Sequence, residues 1–125
     1  MKIALVLGTA RKNNNSSKVF DYVNSKLLDQ DHEVIPVRVE DYLLNYTTTR
    51  SENNPENSEK IEKWADIIDK SEAVIFVSPE YNHSYPGELK ILVDSLYPEY
   101  KNKKAGIIGV SMGGFGGTRV VELLK

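Results

Sequence analysis

Short apolar runs alternate along the chain with segments of helical periodicity, and this alternation restricts the fold more than any other feature. The runs Ile3–Leu7, Ala73–Val77 and Ala105–Val110 contain only apolar residues and glycine, which is typical of strands buried on both faces. Val34–Val37 is a further strand, and because its Pro36 lacks an amide donor, we expect it at a sheet edge. Strands separated by helices predict a mostly parallel sheet covered on both faces.

Helical patterns lie between the strands. Helices are predicted to begin at Ser16 and Ser58 and to span Gly87–Leu96 and Thr118–Leu124, with apolar residues every three to four positions. Asn15, Ser16 and Ser17 are all residue types that cap helices well. Thr47–Asn57 has no large apolar residue and is predicted to be a long surface loop. The alternation has no internal repeat or linker, so we expect one α/β domain over residues 1–125.

Length, charge and cysteine content exclude several classes of protein. The chain has 125 residues, a net charge of −2 and no cysteine. The near-neutral charge argues against nucleic-acid and membrane partners, which favour a basic excess. Without cysteine there is no disulfide scaffold, Cys-ligated metal or thiol nucleophile, and two His make a His-rich metal site improbable. The apolar start of the chain runs directly into Arg11 and Lys12 with no cleavage-type segment, so we expect a cytoplasmic protein.

The expected site lies at one end of the sheet. Open parallel sheets bind ligands at the carboxyl ends of their strands, where the winding direction reverses. In a flavodoxin-like sheet of order 2-1-3-4, the loops after the first, third and fourth strands are neighbours. These loops, Gly8–Ser17, Ser78–Gly87 and Ser111–Gly117, are the ones with unusual composition.

The loop after the first strand has the features of an anion site. It enters a helix N-terminus, where backbone amides and the helix dipole favour negative charge. Thr9, Ser16 and Ser17 add hydroxyl groups, and Arg11 adds a planar charged fork suited to phosphate. Neither a Walker A sequence nor a Gly-x-Gly-x-x-Gly fingerprint is present, so a phosphate is favoured over an ATP or NAD Rossmann site. An ordinary polar turn with a serine cap is the alternative.

The loop after the third strand combines aromatic, amide and proline residues. A planar heteroaromatic ligand could stack on Tyr81 and hydrogen-bond to Asn82. A surface turn stiffened by proline is the alternative. His83 has no second ligand cluster for a metal and no nucleophile pattern nearby, so we assign it no role.

The loop after the fourth strand is rich in glycine, which lets a backbone approach a ligand closely. Six of the eight glycines of the chain lie at or near this loop. Gly109–Gly113 also matches the Gly-x-Ser-x-Gly pattern of serine hydrolases. Those enzymes need a His after the serine, and none follows Ser111, so a hydrolase is disfavoured.

Together these loops resemble the NADPH-dependent FMN reductases, a flavodoxin-like family that includes quinone, azo-dye and chromate reductases. The resemblance is most specific in the string Pro-Glu-Tyr-Asn-x-Ser-x-Pro-Gly-x-Leu-Lys from Pro79 to Lys90. It continues through Gly8–Arg11 and Ser111–Arg119. The family implies an FMN phosphate loop, a segment beside the flavin ring and ribityl chain, and a loop along the other flavin edge. The phosphate loop is matched by Thr9, Arg11, Ser16 and Ser17. The segment beside the ring and ribityl chain is matched by Pro79, Glu80, Tyr81 and Asn82. The loop along the other flavin edge is matched by Ser111, Gly113 and Gly114.

The resemblance implies an oxidoreductase with bound FMN. Hydride would pass from NADPH or NADH through the flavin to a small-molecule acceptor such as a flavin or quinone. Because the flavin is the reactive group, no protein residue is nominated as catalytic. The family is commonly dimeric, and helix Gly87–Leu96 and segment Tyr97–Tyr100 are candidate contacts. The alternative is a flavin-binding electron carrier, or a ligand-binding module without turnover.

The chain is short for the predicted fold. A flavodoxin-like sheet usually has five strands, and here the usual fifth strand and last helix are missing. Ala105–Val110 would then form an uncovered edge, which proteins normally avoid. We therefore expect either a truncated chain or a partner that covers this edge.

Overall fold

The computed structural model describes residues 1–45 and 55–125 and contains one four-stranded parallel sheet. The strand order is β2-β1-β3-β4, which confirms the predicted order 2-1-3-4. The strands are β1 (Lys2–Leu7), β2 (Glu33–Arg38), β3 (Ala73–Pro79) and β4 (Lys104–Val110).

Helices cover both faces of the sheet. They are α1 (Ser16–Leu28), α2 (Pro55–Lys70), α3 (Gly87–Asp94) and α4 (Thr118–Leu124), with short 3-10 turns at Val39–Tyr42 and Pro98–Tyr100. Within the described ranges, none of these helices has the length and apolar character needed to cross a membrane.

Strand β1 divides the core into two clusters because its side chains alternate between the faces of the sheet. Leu5 and Leu7 pack in the cluster that contains Phe20 of α1. Ala4 and Val6 pack in the larger cluster on the other face, formed with α2 and α3. The fully buried side chains of that larger cluster include Trp64, Ile61, Leu89 and Leu92. The prediction that this strand is buried on both faces is therefore confirmed.

The edge position of the proline-containing strand also agrees with the prediction. Strand β2 pairs with β1 alone among the described strands, and Pro36 lies opposite Leu5 in the register. An edge position tolerates proline because one side of the strand needs no ladder amide. Strand β4 forms the other edge, next to β3. The prediction that something covers this edge stays a prediction.

The start of α2 differs from the prediction. The helix begins at Pro55 rather than at Ser58, and proline suits the first helical turn because its missing amide would have no partner there. Asn57, predicted to lie in a surface loop, is instead fully buried in this helix and accepts a 3.1 Å hydrogen bond from the Asn45 amide. The remainder of that predicted loop, residues 47–54, lies outside the described residues. Helix α3 is shorter than predicted and ends at Asp94.

Two glycines serve the fold directly by bringing β4 and α4 into backbone contact. A Cβ added at Gly109 would lie 2.4 Å from the Gly117 carbonyl oxygen. Gly117 also has a φ of +81°, a conformation that side-chain-bearing residues rarely adopt. The glycines of the loop Ser111–Gly117 were expected to allow close approach of a ligand, but at Gly117 the close contact with Gly109 within the chain is the physical reason.

We expect Gly109→Ala to lower the free energy of unfolding by about 1–3 kcal/mol, because the added methyl forces the β4 and α4 backbones apart. Gly114→Ala is the matched control, since nothing lies within 4 Å of a Cβ placed there. The control should stay within about 1 kcal/mol of wild type. Urea denaturation measures both, and equal effects would contradict the packing role of Gly109.

Candidate functional site

A cavity of about 440 Å³ opens at the carboxyl ends of β1, β3 and β4, where the sequence predicted a site. Six of the residues predicted for the site line it: Arg11, Ser16, Pro79, Glu80, Tyr81 and Ser111. Five lining residues were not predicted: Asn13, Asn14, Asn15, Val110 and Met112. The other predicted site residues, Thr9, Ser17, Asn82, Gly113 and Gly114, are not in the lining.

Thr9 and Arg11 join the first loop to the third. The Thr9 hydroxyl, buried at 1% exposure, forms a 2.9 Å hydrogen bond with the Tyr81 hydroxyl and accepts a 3.1 Å bond from the Arg11 amide. The Arg11 guanidinium carbon lies 4.1 Å from the centroid of the Tyr81 ring, a cation–π contact. The ring face predicted to stack on a ligand is therefore in contact with Arg11, which itself faces the cavity.

A second contact ties this loop to α3. The Ala10 amide donates a 3.1 Å hydrogen bond to Glu88 Oε1, in the first turn of that helix. The amides of Ala10 and Arg11 are therefore both bonded to side chains of the protein. The amides that could receive an anion lie further along the loop.

The cap of α1 differs from the expected one. Asn14 Oδ1 accepts a 2.7 Å bond from the Ser17 amide and a 3.0 Å bond from the Ser17 hydroxyl. Asn15, the residue before the helix, makes no side-chain cap. An asparagine three residues before the bonded amide is a recognised capping pattern, so the sequence contained this signal.

These hydrogen bonds reduce the number of residues in the first loop that could bind an anion. Ser17 is occupied by Asn14, whereas residues 13–16 and Arg11 line the cavity. The first amides of a helix lack partners within the helix, and they carry the positive end of its dipole. The cavity end beside residues 13–16 is therefore the part best suited to a phosphate.

Asn82 and His83 form the tip of a tight turn. Their φ angles are 48° and 67°, and the Tyr81 and Ser84 amides donate to each other's carbonyl oxygens at 2.8 and 3.0 Å. Asparagine tolerates this left-handed conformation well. The Asn82 side chain is exposed, so in this structure its role is in the turn.

Glu80 joins the ends of β3 and β4. Its amide donates a 2.9 Å bond to the Val110 carbonyl, and its carboxylate is 9% exposed with Oε1 3.7 Å from Arg119 Nη1. Oε2 is buried and has no hydrogen-bond partner among the described residues. Arg119 is held in turn over the Phe115 ring at 4.3 Å. No role was predicted for Arg119, because an ion pair between residues so far apart in the chain has no local sequence signal.

The loop after β4 contributes Ser111 and Met112 to the lining of the cavity. Ser111 Oγ accepts a 3.1 Å bond from the Gly113 amide. A Cβ added at Gly114 would meet nothing within 4 Å, so packing within the described chain does not require glycine there. Met112 is 92% exposed at the rim of the cavity.

The sheet order and the convergence of three loops on one cavity define a flavodoxin-like α/β protein. The chain belongs to the NADPH-dependent FMN reductase family, whose sequence model matches residues 1–125. Membership in this family of oxidoreductases confirms the resemblance seen in the sequence.

Known relatives agree with this assignment. An NAD(P)H-dependent FMN reductase of Saccharomyces cerevisiae is 27% identical over 139 residues, covering 100% of this chain and 72% of the relative. A quinone reductase of Pseudomonas putida is 32% identical over 120 residues, covering 92% of this chain and 62% of the relative. The chain thus spans 62–72% of the length of these two proteins.

Solved structures share the fold. The flavoenzyme NAD(P)H:(acceptor) oxidoreductase FerB of Paracoccus denitrificans superposes with a TM-score of 0.81 at 29% identity, covering 99% of this chain and 68% of FerB. The azoreductase AzrA gives a TM-score of 0.72 at 16% identity, with 99% of this chain and 78% of AzrA covered. At that identity the likeness to AzrA shows the fold alone.

We expect Thr9→Val to destabilise the chain more than Tyr81→Phe. The Thr9 hydroxyl makes two hydrogen bonds, to Tyr81 and to the Arg11 amide, and Tyr81→Phe removes only the first of them. Each lost bond contributes about 1 kcal/mol to the free energy of unfolding. A double-mutant cycle by urea denaturation should give a coupling of about 1 kcal/mol between the two positions. Thr9→Ser, which keeps the hydroxyl, is the control. Additive single effects would show that the hydrogen bond makes no contribution.

Proposed function

We propose that the chain binds FMN in this cavity and acts as an FMN-dependent NAD(P)H oxidoreductase. Hydride passes from NADPH or NADH through the flavin to a small-molecule acceptor such as a flavin or quinone. The observation that carries the proposal is the convergence of three loops on one cavity, with the anion-type loop at one end and the Pro79–Tyr81 wall beside it. Because the relatives are longer than this chain, the activity is proposed from family membership and geometry together.

The donor set of the cavity fits FMN. Arg11 and the amides of residues 13–16 suit the phosphate, and the Ser16 hydroxyl adds a donor in the same place. Thr9 and Ser17, predicted for phosphate contact, hold the loop through Tyr81 and Asn14. The volume of about 440 Å³ lies within the range of small-molecule sites.

The ring end of the proposed site is formed by the third and fourth loops. Pro79, Glu80 and Tyr81 form one wall, and Ser111 and Met112 form another. Gly114 leaves open space next to this wall for a flavin edge, whereas the Gly113 amide is held by Ser111 Oγ and shapes the loop. Asn82 contributes through the turn that fixes Tyr81.

Bound FMN supplies the hydride chemistry, as it does in flavoenzymes generally. The residues of the chain bind and orient it. Arg11 neutralises phosphate charge, and the backbone hydrogen bond from the Glu80 amide to the Val110 carbonyl fixes the spacing of the two walls. No protein residue is assigned as a catalytic acid or base, because hydride transfer to a flavin needs none at the ring itself.

The proposal extends to assembly and location. For the proposed homodimer through α3 and the segment Tyr97–Tyr100, the support is that Tyr97 is 89% exposed and of a residue type enriched at protein interfaces. We also propose a cytoplasmic location. The choice between NADPH and NADH has no motif of its own in the chain.

Arg11→Ala should weaken FMN binding on the order of tenfold or more, because a charge-assisted contact to phosphate contributes about 1.5–3 kcal/mol. Lys12→Ala is the matched control. The Lys12 ammonium is bonded to Glu40 at 2.9 Å, and this bond holds the pKa of the Glu40 carboxyl below its ordinary value. Removing this neighbouring charge should change affinity little. Quenching of flavin fluorescence gives both dissociation constants, and equal losses would refute a specific phosphate role for Arg11.

The FMN-loaded chain should oxidise NADPH or NADH faster than the same concentration of free FMN when a quinone is supplied. The loss of absorbance at the nicotinamide band measures this rate. Tight FMN binding with a rate equal to the free-flavin background would favour the electron carrier instead. No FMN retained after desalting would contradict both.

A further inference from the structure

Glu88 contacts the proposed phosphate loop from a different element of the fold. Its Oε1 accepts the 3.1 Å hydrogen bond from the Ala10 amide, and the bond is partly buried. The two residues are 78 positions apart in the sequence, so the contact exists only because the loop after β1 and the first turn of α3 meet at the carboxyl end of the sheet. No role in the site follows from the motif analysis for Glu88.

The chain brings Ala10 to Glu88 through a close approach at Gly8. The Gly8 amide donates a 2.9 Å bond to the Val77 carbonyl, and a Cβ at Gly8 would lie 2.7 Å from Leu89 Cδ2. Leu89 is fully buried next to Glu88 on α3. The start of the loop is therefore held against the core, and Glu88 fixes the Ala10 amide two residues further along the chain.

A carboxylate in this position has two opposing effects on an anionic ligand. As an acceptor, it orients the Thr9–Ala10 peptide, one residue before Arg11, and so sets where the guanidinium emerges. As a negative charge near the loop, it repels phosphate through the Coulomb interaction. The first effect depends on an oxygen acceptor, whereas the second depends on the charge, so the two can be separated chemically.

We propose that Glu88 is a positioning residue that sets the geometry of the loop at residues 9–16 and thereby the preference of the cavity for a phosphorylated over an unphosphorylated flavin. The inference rests on the proposed function for its ligand. Glu88 acts through the Ala10 amide and does not itself touch the phosphate.

The test compares the affinities of FMN and riboflavin, which differ only in the phosphate. Glu88→Ala should weaken FMN binding on the order of tenfold, equivalent to about 1.4 kcal/mol, and leave riboflavin binding within about twofold. Glu88→Gln keeps the oxygen acceptor and removes the charge, so its preference for FMN should equal or exceed that of wild type. Asp94→Ala removes the same charge from the same helix at a residue bonded to Lys90, and is the matched control.

The inference would be overturned if Glu88→Ala weakened the binding of FMN and riboflavin equally, or if Glu88→Gln bound FMN as weakly as Glu88→Ala. Hydrogen exchange of the Ala10 amide gives a second readout that needs no flavin. Exchange should accelerate in Glu88→Ala and stay protected in Glu88→Gln, whereas unchanged protection in Glu88→Ala would also overturn the inference. If wild type binds neither flavin while the exchange result holds, the proposed function fails and the positioning contact stands.

Discussion

The parallel pairing of β1 with β3 is the constraint on which the site depends. The register runs from Ile3 opposite Ala73 to Leu7 opposite Val77, and the Gly8 amide continues it with its bond to Val77. The two strands therefore end together, and their loops emerge side by side. Thr9 and Tyr81 meet across 72 residues of sequence for this reason. Any ligand held by one loop is necessarily beside the other.

The electrostatics of the site are local and do not follow from the net charge of −2. Three carboxylates around the site have a donor or cation beside them: Glu88 has the Ala10 amide, Glu40 has Lys12, and Glu80 has Arg119. Arg11, by contrast, lies over an aromatic ring and has no carboxylate partner among the described residues, so the edge of its guanidinium can bond with an anion. In the proposed site an anionic ligand would meet a cation and a helix N-terminus on a chain that is weakly acidic as a whole.

Much of the fold could be predicted because its signals are local. Continuous apolar runs identified the strands, Pro36 identified an edge, and the alternation of elements predicted parallel pairing, while the strand order came from the flavodoxin-like arrangement. The three loops of the site followed from that order. The start of α2 was missed although Pro55 is a recognised signal for a first helical turn.

The features that escaped prediction depend on contacts between distant segments. The Glu80–Arg119 pair, the Glu88 bond to Ala10 and the burial of Asn57 depend on how strands and helices pack, which no local pattern encodes. Gly109 and Gly117 show the same limit, since a glycine needed for close backbone packing looks in sequence like one needed for a ligand. Only the three-dimensional contact separates the two reasons.

The central claim is that FMN binds at the carboxyl end of the sheet with its phosphate at the N-terminus of α1. A titration of the nitrogen-15-labelled chain with FMN, followed by amide chemical shifts, tests it most directly. The account predicts the largest shifts at residues 13–16, 80–81 and 111–114. Shifts concentrated at the opposite end of the sheet, around Met1, Glu72 and Lys103, or no saturable shifts at all, would contradict it.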